Sequence, residues 1–467
     1  MKKRLFTILS CLVMLACVLT GCGGEGLKGG PSSSDTVYGN GGYAVRKGDY
    51  IYYANTYSTK SITENDNEYG DEKLSAIYRA KLNSRGTVDT DEDGNPKGIE
   101  ILAKQIAGFS KSGIYIFGDY IYYATPKTLK VKPEVGSSEL LEGLLSFERI
   151  KLDGTEHKTI YSIDSLGADL DYSFNLVGKN VCLTVLNEGK LTTVLIDLEK
   201  GKKKDTKTLA EDVTAAVFPE VEDIAKGYKV SNFNSYVYFQ KTMTIAGGDG
   251  YNGSRLSKVK LDGSAKAVKI EDNSTKTLVE VKNNRLYYTD SSILYSTADF
   301  KTATQYSSSN LSSFKVNQDS NGTDMGIVAV VGNSIVYYRG LGDYTTLFTA
   351  DKAPTLLYVE NNNVYYTLGD NVLYSKQIFK QSYAEDERYA EGTIHSKGIN
   401  ITTAESTVID FDQNYFFYFN TIEDSNGLYS YMHFVNHFAV DEEGQPFEQL
   451  LGKIAKDDIK AEEETEE

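Results

Sequence analysis

The sharpest chemical signal in this 467-residue chain is a run of carboxylates, Asp89-Thr90-Asp91-Glu92-Asp93-Gly94-Asn95-Pro96-Lys97-Gly98-Ile99-Glu100. Acids at the first, third and fifth positions, glycine at the sixth and an acid at the twelfth follow the spacing of a calcium loop. Calcium takes roughly six to eight hard oxygen ligands, and the glycine permits the sharp bend between them. The ligands would be Asp89, Asp91, Asp93, Asn95 and Glu100. Pro96, however, stands where such loops carry a β-forming apolar residue. Asp441-Glu442-Glu443-Gly444-Gln445-Pro446 repeats the acidic-Gly-polar-Pro order without the ligand spacing. The stretch therefore also reads as an acidic hairpin turn, and calcium is the one cofactor the sequence offers.

Other candidate chemistry is thinner. His433 and His437 are four apart, but Phe434 and Val435 between them indicate a strand, where that spacing separates them by about 13 Å. No glutamate completes a zinc-protease motif around them. With four histidines in all, a His-based triad has few candidates, and no Gly-x-Ser-x-Gly elbow carries a nucleophile. His157 follows an Asp-Gly-Thr turn and is expected to be exposed. Gly247 to Gly253 is glycine-rich but lacks the Lys-Ser/Thr of a phosphate cradle, and Lys202 to Lys204 reads as a solvated turn. A pair of carboxylates could hydrolyse glycosides, but 65 acidic residues give no means of choosing the pair.

The residue with the clearest covalent chemistry is Cys22. Lys2, Lys3 and Arg4 form a basic start, Leu5 to Leu19 is apolar apart from Thr7 and Ser10, and Leu19-Thr20-Gly21-Cys22 follows. This order reads as a secretory signal peptide. The apolar run falls short of the roughly 20 residues of a comfortable spanning helix. Leu-Thr-Gly-Cys resembles the lipobox of bacterial lipoproteins, whose cysteine thiol takes the lipid and becomes the mature N-terminus. Residues 1–22 are thus expected to be a lipoprotein signal ending at the lipobox. The protein is expected to be extracytoplasmic and lipid-anchored to the bacterial cell membrane through Cys22. Of the four cysteines only Cys182 then keeps a free thiol, so no disulfide framework holds the fold. Its setting, Val181-Cys182-Leu183, is that of a buried structural residue.

The whole chain carries a formal charge of −16, and removing the three positive charges of the signal leaves −19. Such a surface repels phosphate backbones, so nucleic acid is not an expected partner. The chain has no Trp but 35 Tyr, 41 Gly and 7 Pro, a composition that favours short strands joined by turns. Residues 23–36, rich in Gly and Ser, have little to bury and read as a flexible tether. Residues 441–467 read as an acidic, partly disordered tail, with a helical turn or two allowed around Phe447 to Ile459.

Between these ends, residues 37–440 repeat. A turn of Gly, Asn or Asp leads into a strand with paired aromatics: Gly48-Asp49-Tyr50-Ile51-Tyr52-Tyr53, then Gly118 to Tyr123, Asn234 to Phe239, Asn283 to Tyr288, Asn333 to Tyr338 and Asn361 to Tyr366. Gln413 to Tyr418 and Gly178 to Leu183 are weaker copies. An alternating strand usually follows, as in Tyr78-Arg79-Ala80-Lys81-Leu82 and Phe147 to Gly154. A small sheet of this kind cannot bury both faces alone, and stacking such sheets in a ring does so. The fold expected is all-β, a β-propeller of seven or eight blades of short antiparallel strands, with the first strand pairing into the last blade. The copies at Asn333 and Asn361 lie only 28 residues apart, which predicts an incomplete or shared blade.

The repeat resembles that of bacterial lipoproteins of the DUF5050 type, whose propeller repeats are likened to the YWTD blades of lipoprotein receptors. There Gly-Asp-x-Ile-Tyr-Tyr is followed by Tyr-Arg-x-Lys-Leu-Asp-Gly, and Gly48 to Tyr53 with Tyr78 to Leu82 and Gly118 to Tyr123 with Arg149 to Gly154 match best. The resemblance spans roughly Tyr38 to Val440 and implies a fold more than a function. The functional expectation is a non-catalytic binding or scaffold domain, presenting Tyr, Asn, Asp and Ser to an envelope protein, peptide or glycan. The alternative is an extracytoplasmic carbohydrate-active enzyme with carboxylates at the propeller mouth.

Overall fold

The computed structural model describes residues 26–39, 41–54, 57–58, 68–69, 72–73, 76–92, 96–103, 113–126, 145–219, 235–244, 252–282, 285–311, 313–318, 324–360, 362–369, 372–378, 399–400, 407–412, 415–424, 427–440 and 446–451. Among them the sheets with four or more strands number eight, all antiparallel: seven four-stranded blades and an eighth, five-stranded sheet. The first strands are Ala44–Lys47, Ile114–Phe117, Asp171–Val177, Val213–Val217, Thr277–Lys282, Phe314–Gln318, Thr355–Glu360 and Thr407–Asp412. The second strands are Tyr50–Ala54, Tyr120–Pro126, Asn180–Asn187, Tyr236–Thr244, Arg285–Asp290, Asp324–Val331, Asn363–Thr367 and Tyr415–Asp424.

Strand periodicity explains the paired aromatics. Successive side chains point to opposite faces of a strand, so each Tyr-Tyr pair serves two blade interfaces. Tyr52 packs into the cluster shared by blades 1 and 2, and Tyr53 into the one shared by blades 1 and 8. Tyr122 faces blade 3 while Tyr123 faces blade 1. Tyr287 faces blade 6 while Tyr288 faces blade 4. In these three blades the first member meets the following blade and the second the preceding one. The core is thus a series of apolar layers between sheets.

Blade 6 departs from the expected order. Its aromatic copy, Ser334–Gly340, is the third strand, and the aromatic-free Asp324–Val331 is the second. The short interval from Asn333 to Asn361 therefore runs from a third strand to the next second strand. Neither blade is incomplete or shared.

The Arg of the repeat is buried in the sheet. Arg79 sits opposite Tyr52 and is fully buried, with its guanidinium 5.0 Å from the Tyr50 ring centroid. Arg149 sits opposite Tyr122, 4.3 Å from Tyr120. In blade 4 Lys258 takes the place, 4.9 Å from Tyr236. Blade 5 reverses the pair: Arg285 stands on the aromatic strand and donates to Ser296 Oγ on the third at 2.9 Å. A cation over an aromatic face offsets part of its desolvation.

The N-terminal segment is not a free tether from residue 27 onward. Arg79 Nη2 donates to Lys28 O at 2.9 Å and Nη1 to Gly29 O at 3.1 Å. Leu27 N donates to Asp153 O, Ser32 N to Asp49 Oδ1, and the buried Lys47 Nζ to Asp35 O and Gly118 O. The chain from Thr36 to Gly41 then runs antiparallel along Ile114–Phe117, with Gly118 N bonded to Thr36 O, Tyr38 N to Ile116 O and Gly41 N to Ile114 O. The composition gave little to bury, but backbone carbonyls suffice when a buried guanidinium needs acceptors.

Ring closure also differs in detail from expectation. Ala44–Lys47 pairs only with Tyr50–Ala54, not with the last blade. The ends meet instead through Tyr57–Ser58, which pairs with Gly427–Val440, and through Pro446–Leu450, the outer strand of blade 8. That strand replaces the helical turn expected near Phe447. Leu451 is buried with Ile51, Tyr53 and Tyr415, and Tyr53 Oη donates to Leu451 O at 2.6 Å. Residues 452–467 lie outside the described residues.

Candidate functional site

First strands form the inner edge of each blade, and their register is repeatedly broken. In blades 4, 5, 7 and 8 one residue is inserted without a partner: Thr214, Val279, Leu357 and Ile409. A β-bulge bends its strand and re-aims a side chain, and bulges gather at barrel rims and binding sites. At Val279 the result is a branched apolar side chain that is 37% exposed on an inner strand.

Val279 lines a cleft of 240 Å³ built by inner segments of four successive blades. Blade 2 contributes Tyr115, blade 3 Asp171, Tyr172 and Ser173, blade 4 the run from Ala216 to Pro219, and blade 5 Val279 and Glu280. The aromatic wall is held firmly. Tyr115 packs 5.1 Å from Phe174 between ring centroids. The backbone of Gly41, at φ +88°, passes so close that a Cβ there would lie 2.5 Å from the Tyr115 ring. Pro219 bridges to Val281 in parallel, fixing the blade 4 side. Asp171 Oδ1 accepts from Tyr172 N at 2.9 Å. The cleft thus combines rigid aromatic and apolar walls with two carboxylates, a pattern suited to an organic cation or a basic peptide side chain.

A second cavity, 310 Å³, lies between blades 4 and 5 against Leu286, Tyr288 and Phe300. Of its two lysines, Lys276 and Lys301, the first is paired with Glu271 at 2.5 Å, so the charge Lys276 would offer a ligand is largely neutralised.

The calcium-loop residues are placed otherwise. Glu100 lies on the fourth strand of blade 1, and its Oε2 accepts from Arg79 Nε at 2.7 Å. Asp89 Oδ1 accepts from Asn83 Nδ2, Asp89 O accepts from Lys97 N, and Thr90 bridges Pro96 antiparallel. These contacts make a hairpin. Asp91 is described beside it, while Asp93 and Asn95 fall outside the described residues. Among the described residues no group of three or more His, Cys, Asp or Glu is placed to hold a metal.

Cys22 and residues 247–251 of the glycine-rich run also lie outside the described residues. His433 and His437 are on one strand, as their neighbours indicated. Lys203 and Lys204 begin the outer strand of blade 3 rather than a turn, and Lys204 pairs with Asp197 at 2.9 Å. Cys182 is fully buried, and burial pushes its thiol up to about 12. His157 is exposed, as expected, and its ring still meets two groups of blade 2: its Nε2 is 3.1 Å from Tyr123 Oη and 3.5 Å from the buried Glu148 Oε2.

No family model and no curated protein matches the sequence. Among solved structures the chain is similar to the β-propeller domain of the Trilobed protease from Pyrococcus furiosus, described as having an open velcro topology, with 11% identity and a TM-score of 0.38 over 90% of this chain and 99% of that one. It is also similar to Kluyveromyces lactis Hsv2, with 10% identity and a TM-score of 0.37 over 71% of this chain and 94% of that one. Likeness to the tricorn protease, at 10% identity and a TM-score of 0.36, covers 87% of this chain and 44% of that one. At this level of identity the likeness concerns the fold.

The cleft was not readable from sequence. Its carboxylates, Asp171 and Glu280, stand in unremarkable strand contexts. The weak signal available was an apolar residue directly before Glu280 at a position that strict alternation would make polar.

Proposed function

We propose that this protein is a membrane-anchored extracytoplasmic lipoprotein whose propeller is a non-catalytic binding domain, holding a basic segment of an envelope protein or peptide in the cleft at Val279. The observation that carries the reading is the cleft itself: four blades bring Tyr115, Tyr172, Phe218 and Val279 together with Asp171 and Glu280 on a rigid ring. Function placed on strands of a closed scaffold is held with little ordering cost. The lipobox around Cys22 supports the anchoring part.

The test is titration with short peptides bearing Lys or Arg, read by calorimetry, against matched peptides in which those residues are neutral. Val279→Arg is expected to abolish binding by filling the cleft with a cation, and Asp171→Asn with Glu280→Gln to weaken it about tenfold or more. Equal binding of basic and neutral peptides would defeat the reading. Because the same two carboxylates share one cleft, the alternative of a carbohydrate-active enzyme is tested on the same variants: polysaccharide cleavage lost in both would replace binding with hydrolysis. Retention of Cys22→Ser in membranes, with normal processing, would remove the anchor.

A further inference from the structure

Two faces of the ring can be told apart by strand direction. First and second strands meet on one face, at turns such as Gly48-Asp49, Gly118-Asp119 and Gly178-Lys179, and third and fourth strands meet there too, as at Asp153-Gly154. We call this the turn face. The opposite face carries the ends of second strands and the starts of third strands, as at Ala54 and Ile77, and blade-to-blade connections such as Asp164 to Leu170.

The N-terminal segment lies on the turn face. Leu27 N is bonded to Asp153 O, the carbonyls of Lys28 and Gly29 are held by Arg79, and Ser32 N is held by Asp49. Only at Thr36 does the chain dive along the inner edge of blade 2, reaching Gly42 at the opposite face before the first strand of blade 1 begins. The chain therefore enters the domain at the outer part of blades 1 and 2 and crosses the turn face inward. Side-chain burial adds to the attachment: Leu27 packs on the apolar layer between these blades, and the buried Arg79 would lose two of its three backbone carbonyl partners, those of Lys28 and Gly29, if the segment lifted.

We infer that the turn face at blades 1 and 2 is the membrane-proximal surface of the protein, docked against lipid headgroups, with the opposite face turned outward. The inference rests on the lipid at Cys22 proposed above. Leu27 is five residue steps along the chain from Cys22, and an extended chain spans at most about 3.6 Å per step, so the lipidated residue lies within about 18 Å of Leu27 at the blade 2 turn. A long free tether would let the ring tumble, whereas one pinned at residue 27 fixes an edge and a face. The anchor is thus an orienting device, and the opposite face, with the connection from Asp164 to Leu170, is turned away from the bilayer.

The experiment uses the full lipidated chain in phosphatidylcholine–phosphatidylglycerol vesicles carrying a headgroup energy acceptor. Buried Cys182 does not label, so Lys179→Cys on the turn face and Ser165→Cys on the opposite face, both exposed, each take a single donor dye. Transfer from position 179 is expected to exceed that from position 165 severalfold. A second variant, with about twenty Gly and Ser residues inserted after Glu25, is expected to stay on the vesicles while the difference collapses. Equal or reversed transfer in the uninserted protein while it floats with vesicles would overturn the orientation and leave the anchor standing. Failure of the wild-type protein to float would overturn the anchor, and the orientation with it.

Discussion

Gln449 grips Val88 by both of its backbone groups: Oε1 accepts from Val88 N at 2.8 Å, and Nε2 donates to Val88 O at 2.7 Å. One residue is on the outer strand of the last blade, the other in the connection before the fourth strand of the first. A single side chain thus imitates a β-partner across the closure of the ring. Val88 is 2% exposed, so both of its groups would be left buried and unpaired without the amide. Gln449→Ala is expected to cost about 2 kcal/mol in denaturant unfolding. Truncation before Tyr415 should lower the melting temperature of the entire domain, because blade 1 would lose its apolar neighbour. A truncated chain melting cooperatively at the wild-type temperature would exclude closure.

The paired tyrosines do not contribute equally through their hydroxyls. Tyr53 Oη donates to the carbonyl of Leu451 within the closure layer. Tyr122 Oη is buried with no hydrogen-bond partner. Tyr53→Phe is therefore expected to destabilise by about 1–2 kcal/mol, while Tyr122→Phe is expected to be neutral within about 0.5 kcal/mol or slightly stabilising. Equal losses in chemical denaturation of the two variants would contradict this assignment.

Tyr52-Tyr53 and its copies made the stacking of blades legible, because only a sheet buried on both faces asks for large side chains at adjacent strand positions. The same rule misplaced one strand. In blade 6 Asp324–Val331 fills the second position with Ile327, Val328 and Ala329, and the aromatics of Tyr337-Tyr338 shift to the third. Second and third strands face the same two layers, so either can carry them. The docked segment 27–42 was hidden for a different reason. It is held by backbone groups, and the information for it lies in Arg79 and Asp49, not in its own glycines. The cleft was hidden because Tyr115 and Glu280 are far apart in sequence and come to one cleft only when blades 2 to 5 stack side by side.

Acid should loosen the docked segment before it unfolds the ring. Burial pushes the Asp49 carboxyl up, but hydrogen bonds from Ser32 and its own backbone, with Lys81 nearby, outweigh this and hold it below its usual 3.8. A lowered native value means that the stabilisation is complete above pH 3.8 and is lost as pH falls through the native value. Hydrogen exchange at Ser32 is expected to accelerate below pH 4, relative to the ring amides, in wild type. In Asp49→Asn it should be fast already at pH 6. A wild-type exchange rate at Ser32 that tracks the ring amides through this range would show that Asp49 does not hold the segment.

Calcium is expected to have no effect on stability. Glu100 would have to leave Arg79 to serve as the twelfth-position ligand, exposing a guanidinium that is fully buried to the loss of its one carboxylate. Three backbone carbonyls remain bonded to Arg79, those of Lys28, Gly29 and Leu152, and Glu100 is partly open to solvent, so the loss is about 1–3 kcal/mol rather than that of an isolated buried charge. Asp89 is likewise occupied by Asn83, and the Thr90–Pro96 bridge closes the hairpin. The melting temperature should therefore be the same in a chelator as in millimolar calcium. Glu100→Gln should lower it by a similar amount in both, since what it weakens is the pairing with Arg79. A melting temperature that falls in chelator, with the response abolished by Asp89→Ala together with Glu100→Ala, would restore calcium to this turn and require Glu100 to exchange Arg79 for the ion.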